Sequence, residues 1–145
     1  MIKKNIWNFF FILGIFLFDR LSKIAIIKSF GINDKTIIPV TDFLSFNLIW
    51  NNGIGFGLFS FDQKIYYNVL TAIILLVTLI VLFMIIRTKK IERVAFMMIF
   101  GGSLGNIFDR LFYYSVPDFI DIQFGNFHWF IFNVADIFIS LGVLL

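Results

Sequence analysis

The sequence contains no cysteine, one histidine, two prolines and one glutamate, and only 14% of its 145 residues are charged. Without cysteine there is no disulfide framework, no thiolate nucleophile and no cysteine-based metal site. With His128 as the lone imidazole, multi-histidine metal sites and the usual Ser-His-Asp arrangement are excluded as well. No metal and no cofactor are expected. What fills the chain instead is apolar: 60% of it is hydrophobic, phenylalanine alone contributes 22 residues, and the mean hydropathy is +0.95. Soluble domains average about half apolar and a quarter charged, so both departures point to the membrane class.

A hydrocarbon core ~30 Å thick takes roughly 20 residues per helix, which leaves room for about four spans. The expected fold is an all-α polytopic membrane protein with spans at about 6–27, 65–86, 94–112 and 129–145, forming a single membrane-embedded domain over 1–145. The first span follows the basic start MIKKN but is expected to be retained. Phe18 is followed by Asp19-Arg20-Leu21-Ser22-Lys23, with no small-residue cleavage pattern. The second has no charge between Lys64 and Arg87, while the third carries GGSLGNIFDR and the fourth FNVAD. Segments 28–64 and 113–128 mix β-branched and aromatic residues with turn formers, so short strands are expected there, at the membrane surface.

Twelve Lys+Arg against nine Asp+Glu give a net charge of +3. The basic residues Lys3, Lys4, Arg87, Lys89, Lys90 and Arg93 flank spans, which suits membrane orientation better than nucleic acid, and no nucleic-acid partner is expected. Residues 115–127 hold no basic residue. Both termini are therefore expected in the cytoplasm, with 28–64 and 113–128 outside. The apolar run reaching Leu145 lacks a basic flank, so a tail beyond it is expected.

Ionisable groups at membrane depth cost about 2.5–3.5 kcal/mol each on insertion scales, so several retained together need a reason. Span one brings Asp19, Arg20 and Lys23, span three Asn106, Asp109 and Arg110, and span four Asn133 and Asp136, with Asp118 and Asp121 in the loop between. All lie toward the expected outer face. Helical spacing groups Asn106 with Asp109 and Arg110, and Asn133 with Asp136. Gly101, Gly102 and Gly105 beside Asn106 would let a neighbouring helix or a substrate approach closely. Plain structural roles account for several of these residues. Asp109 and Arg110 read as a structural pair that neutralises and orients polar groups between helices, Asp19 with Lys23 as an interfacial snorkelling cluster, His128-Trp129 as an interfacial anchor, and Asn51-Asn52-Gly53 as a turn.

Asp118 and Asp136 are harder to absorb in that way. Two carboxyl groups sharing a site hold one proton between them, so one can act as base and the other as acid, as in aspartic proteases. Neither a nucleophilic serine nor a metal is needed. Intramembrane carboxylates also build proton and ion pathways. Composition and spacing therefore leave both a hydrolase and an ion-coupled transporter open, with the absence of an inverted repeat tilting mildly against transport.

Five motifs then run in order along nearly the whole chain: FDRLSK at 18–23, NNGIGFG at 51–57, GGSLGNIFDR at 101–110, VPDFID at 116–121 and FNVAD at 132–136. Together they resemble those of the bacterial lipoprotein signal peptidases (signal peptidase II). The resemblance implies an aspartic endopeptidase of the bacterial inner membrane, working near its outer face. It would remove the signal peptide from prolipoproteins whose cysteine carries a diacylglyceryl group, cutting just before that cysteine. Diacylglyceryl-modified prolipoproteins and membrane lipid are the implied partners, and a monomer is favoured. Carried over residue by residue, the catalytic pair falls on Asp118 and Asp136. Asp19, Asn51, Gly53, Gly102, Asn106, Asp109, Arg110 and Asn133 match positions that hold the substrate or brace the pair, with Arg110 expected to fix Asp109. Segment 28–64 corresponds to a small extracytoplasmic β-structured cradle followed by a half-helix. Three positions depart from the family pattern: Tyr114 where glycine is usual, Pro117 where a β-branched residue is common, and Gly55 where alanine or serine is usual. Pro117 fixes φ and removes an N–H, so the backbone path into Asp118 is where this chain is expected to differ.

Overall fold

The computed structural model describes residues 2–33, 37–53, 64–125 and 127–145. Helix α1 (Ile2–Asn33) leads into strands β1 (Ile38–Thr41) and β2 (Leu44–Asn51). Helices α2 (Lys64–Arg87) and α3 (Lys90–Phe112) follow, then strands β3 (Val116–Phe124) and β4 (Phe127–His128) and helix α4 (Val134–Leu144). By length and composition, α2 and α3 can each cross a bilayer. The two threonine hydroxyls of α2 are satisfied locally: Thr71 and Thr78 donate to the carbonyls of Tyr67 and Ile74 at 2.9 and 2.8 Å. Its apolar residues, among them Ile73, Leu76, Leu79, Ile80 and Phe83, are mostly exposed, as a lipid-facing surface would be.

Helix α3 is the packing axis, with α1, α2 and α4 all against it. Its contact with α4 depends on small residues. A Cβ on Gly102 would sit 2.5 Å from the Ala135 carbonyl oxygen, so only glycine lets the two backbones approach this closely.

The strands form one antiparallel sheet in the order β1-β2-β3-β4. Ser45 lies opposite Asp121, Trp50 opposite Pro117 and Asn51 opposite Val116, with an irregularity between Phe46 and Ile49. Phe119 of β3 packs with Ile26 of α1 and Val134 of α4, and Phe46 meets it edge-on at 5.9 Å. That apolar cluster fastens the sheet to the end of the bundle where α1 and α3 finish and α4 begins.

Helices α1 and α3 begin at Ile2 and Lys90, where the expected spans begin at about 6 and 94, and two further limits differ. Helix α1 continues past 27 to Asn33, and α4 starts at Val134 instead of about 129. Phe132 stays extended because its N–H and C=O pair with Ile120, at 3.1 and 2.8 Å. Tyr114, in the glycine position of the motif, adopts φ 55°, the left-handed region that glycine occupies without penalty. The expected half-helix and Gly55 fall in 54–63, outside the described residues.

Candidate active site

Asn133 begins α4 and organises the site. Its Oδ1 accepts the N–H of Asp136 at 3.2 Å, and its own N–H donates to Asp136 Oδ2 at 3.1 Å, a reciprocal cap that satisfies two otherwise orphaned backbone donors. The hydrogen bonds that start the helix therefore also orient the Asp136 carboxyl. The remaining end of Asn133, its Nδ2, donates to Asp118 Oδ1 at 2.6 Å. One residue thus bridges an aspartate on β3 and an aspartate on α4.

Two more asparagines complete the frame. Asn51, at the end of β2, donates through Nδ2 to Asp118 Oδ2 at 2.8 Å while its Oδ1 accepts the Gly53 N–H at 2.7 Å. Asn106, on α3, donates through Nδ2 to Asp136 Oδ1 at 2.8 Å while its Oδ1 accepts from Lys23 Nζ at 2.9 Å. All four carboxyl oxygens accept an N–H, and each amide has its own oxygen held by a separate donor. Burial and, after it, the neighbouring Asp136 carboxylate push the Asp118 carboxyl up to about 6, against the hydrogen bonds from Asn51 and Asn133. A carboxyl poised near 6 beside a second one can gain and lose a proton in mildly acidic solution, as an exchange of acid and base roles requires. An open groove of about 250 Å³, lined by Trp129, Phe132, Ile137, Ser140 and Leu141, leads to Asp136.

Behind Asn106 lies an ionic layer. Lys23, with no exposed surface, directs its three N–H bonds to Asp19 Oδ2 at 2.9 Å, Asp109 Oδ2 at 2.7 Å and Asn106 Oδ1 at 2.9 Å. Arg20 pairs with Asp109 Oδ1 at 2.5 Å and lies over the Phe108 ring at 4.8 Å. Asp19 Oδ1 accepts the N–H of Ala135 at 2.9 Å, so a carboxylate of α1 caps the start of α4, where the helix dipole favours negative charge. Gly105 leaves room for Asp19, since any Cβ there would collide with its carboxylate.

Of the residues singled out in the sequence, Asn51, Asn106, Asn133, Asp118 and Asp136 meet in one network, with Asp19 and Asp109 one layer back. Gly53 supplies backbone, and Gly102 allows the close approach of α4. The expected pairing of Arg110 with Asp109 is not formed. One residue further along α3 turns the side chain by about 100°, so Arg110 donates through Nη2 to the Gly53 carbonyl and lies 5.6 Å from the Tyr67 ring centroid. Tyr67 in turn donates to the Arg110 carbonyl at 3.2 Å. Nor do Asp19 and Lys23 form a snorkelling cluster, because both are fully buried against α3. Sequence reasoning names Arg20 and Lys23 among the charged residues of span one without giving them a site role, and it misses Tyr67. For Lys23 the signal was its i, i+4 spacing from Asp19 on an otherwise apolar helix. His128 keeps an exposed ring while its Nδ1 reaches buried Asp121 at 3.1 Å, away from the asparagine frame.

The chain matches the family model for signal peptidase (SPase) II over residues 11–145. It is 47% identical to the lipoprotein signal peptidase of Pelagibacter ubique (strain HTCC1062), across 99% of this chain and 89% of that protein. Identity to the lipoprotein signal peptidase of Clostridium tetani (strain Massachusetts / E88) is 36%, across 92% and 85%. A bacterial membrane enzyme solved at 1.9 Å resolution shares the fold with a TM-score of 0.69 at 25% identity, over 94% of this chain and 87% of that one. Another, at 2.3 Å, gives a TM-score of 0.73 at 24% identity, over 94% and 82%. Nothing among these relatives supports the ion-coupled transporter. A match that begins at residue 11, runs to the last residue and takes in both aspartates and all three asparagines shows that the chain belongs to the signal peptidase II family, as a lipoprotein-processing peptidase.

Proposed function

We propose that the chain is an intramembrane aspartic endopeptidase in which Asp118 and Asp136 form the catalytic dyad. The observation that carries this is the carboxyl pair bridged by Asn133 and framed, among the described residues, by neutral amide donors. The substrate is a prolipoprotein whose cysteine bears a diacylglyceryl group, and the bond cut precedes that cysteine. A water lies between the carboxyls and the scissile carbonyl. The ionised carboxylate takes a proton from the water as its oxygen attacks the carbonyl carbon, and the protonated carboxyl gives its proton to the carbonyl oxygen. Collapse of the tetrahedral intermediate breaks the C–N bond: the departing amine takes up the proton held by the base, and one hydroxyl of the intermediate returns its proton to the carboxylate that had acted as acid. Arg110 Nε and Nη1 are buried with no acceptor among the described residues, which suits them to a backbone carbonyl of the bound peptide.

Residues 1–145 act as one membrane-embedded unit in the bacterial inner membrane, working as a monomer, with α1 and α4 as further spans and both termini cytoplasmic. The sheet and the dyad lie at the outer face. Supporting this placement, the exposed basic residues Arg87 and Lys89 sit at the α2–α3 turn, while 115–127 has no basic residue. The acyl chains remain in the outer leaflet, where burial contributes ~0.8 kcal/mol per CH₂.

The test is a gel-shift assay with the full chain in detergent and a lipidated prolipoprotein. Wild type should release the signal peptide. Asp118→Asn and Asp136→Asn should each lose roughly 10³-fold or more in rate, and an unlipidated substrate should stay intact. Cleavage by both variants would remove the dyad from the mechanism.

A further inference from the structure

Three amides frame the dyad, and none of them is free to turn. The Asn51 and Asn133 oxygens are held by the backbone N–H groups of Gly53 and Asp136, which no side-chain substitution removes. The Asn106 oxygen is held by a side chain, Lys23. An ammonium has three donors and no acceptor, so the Asn106 atom facing Lys23 is its oxygen, and its NH₂ must then face Asp136 Oδ1. Lys23 is itself fixed, because Asp19, Asp109 and Asn106 take its three N–H bonds. A donor aimed at a carboxyl oxygen favours the ionised form.

We propose that Lys23 is a positioning residue of the peptidase: by holding the Asn106 oxygen it aims the Asn106 NH₂ at Asp136 and so favours the ionised, water-activating form of that carboxyl. The proposal rests on the dyad reading above. The charged groups around Asp136 are Asp118 from β3, Asp19 and Lys23 from α1, and Asp109 with Arg20 behind Lys23. The start of α4 adds its positive dipole end, since Asp136 occupies the third helical position. Without Lys23, the Asn106 amide can rotate and present its oxygen to Asp136. Only a protonated carboxyl would satisfy that arrangement.

The experiment is the pH–rate profile of the full chain in detergent on a lipidated prolipoprotein. Lys23→Met combined with Asp109→Asn removes one charge of each sign, so the layer's net charge is kept while the Asn106 oxygen loses its donor. The acid limb of kcat/KM should move up by roughly one pH unit or more, with KM little changed. Asn106→Leu, which leaves every charge in place, should move the limb the same way. Adding the Lys23 and Asp109 substitutions to Asn106→Leu should move it no further. If Lys23 were only structural, folded yield and rate would fall at every pH with the limb unmoved, and that result overturns the proposal. So does an unmoved limb in Asn106→Leu, whether or not the Lys23 variant folds. Failure of the dyad itself is read separately, as cleavage surviving in Asp118→Asn or Asp136→Asn.

Discussion

Asp19 and Asp109 are buried between α1 and α3, and each meets a cation: Lys23 for both, with Arg20 added at Asp109. Asp118 and Asp136 sit one asparagine away, and among the described residues they meet amide and backbone N–H groups only. Burial beside a cation settles a carboxylate's charge, which then ties helices together. Burial among neutral donors leaves the charge adjustable, and a proton can come and go. The same side chain, at the same end of the same bundle, is ion-paired in one set of neighbours and held by neutral donors in the other, the setting that the proposed dyad requires.

Stability measurements can break this comparison. Asp109→Ala leaves Lys23 and Arg20 short of a buried counter-ion and should lose roughly 3–5 kcal/mol in denaturant unfolding. Asp118→Ala removes a carboxyl with no cation of its own and should cost far less. Equal losses would mean that the two sets are not different in kind.

A smaller effect sharpens the contrast through pH. The Asp118 carboxyl holds its proton more tightly in the folded chain, at about 6, than its ordinary value of 3.8. Its contribution to stability is therefore complete below the ordinary value and lost as pH rises through about 6. Relative to wild type, Asp118→Asn should gain on the order of 2–3 kcal/mol between acidic and mildly alkaline pH. Parallel melting curves across that range would count against an adjustable proton at Asp118.

The smallest effect concerns the turn that leads into β3 and Asp118. Tyr114 holds φ 55°, so Tyr114→Gly should raise stability by about 0.5–1 kcal/mol with the fold unchanged. A loss on thermal melting would show that contacts of the tyrosine ring outweigh the backbone strain.

Much of the site was legible before the fold. Asn51-Asn52-Gly53 was read as a turn, and the Gly53 N–H does close onto Asn51 Oδ1, yet the same asparagine also serves Asp118. Turn and site were not alternatives. The spacing of Asn133 and Asp136 was read as a polar face inside a span, whereas Asn-x-x-Asp is also the signature of a helix start. Taken that way, it places the α4 boundary at Val134. Arg110 was paired with its neighbour Asp109 because the sequence shows neighbours. Its partners, Gly53 and Tyr67, come from β2's end and from α2.

The sequence by itself determined the membrane character, the strand-forming segments and the motif order that marks the family, because composition and short-range spacing carry those properties. Only the tertiary structure decided which aspartates meet Lys23 and which meet asparagines. That outcome depends on how closely α1 and α4 approach α3 at Gly105 and Gly102. Hydrogen bonds and ion pairs act within about 3 Å, and no spacing along the chain can show which groups the fold will bring that near.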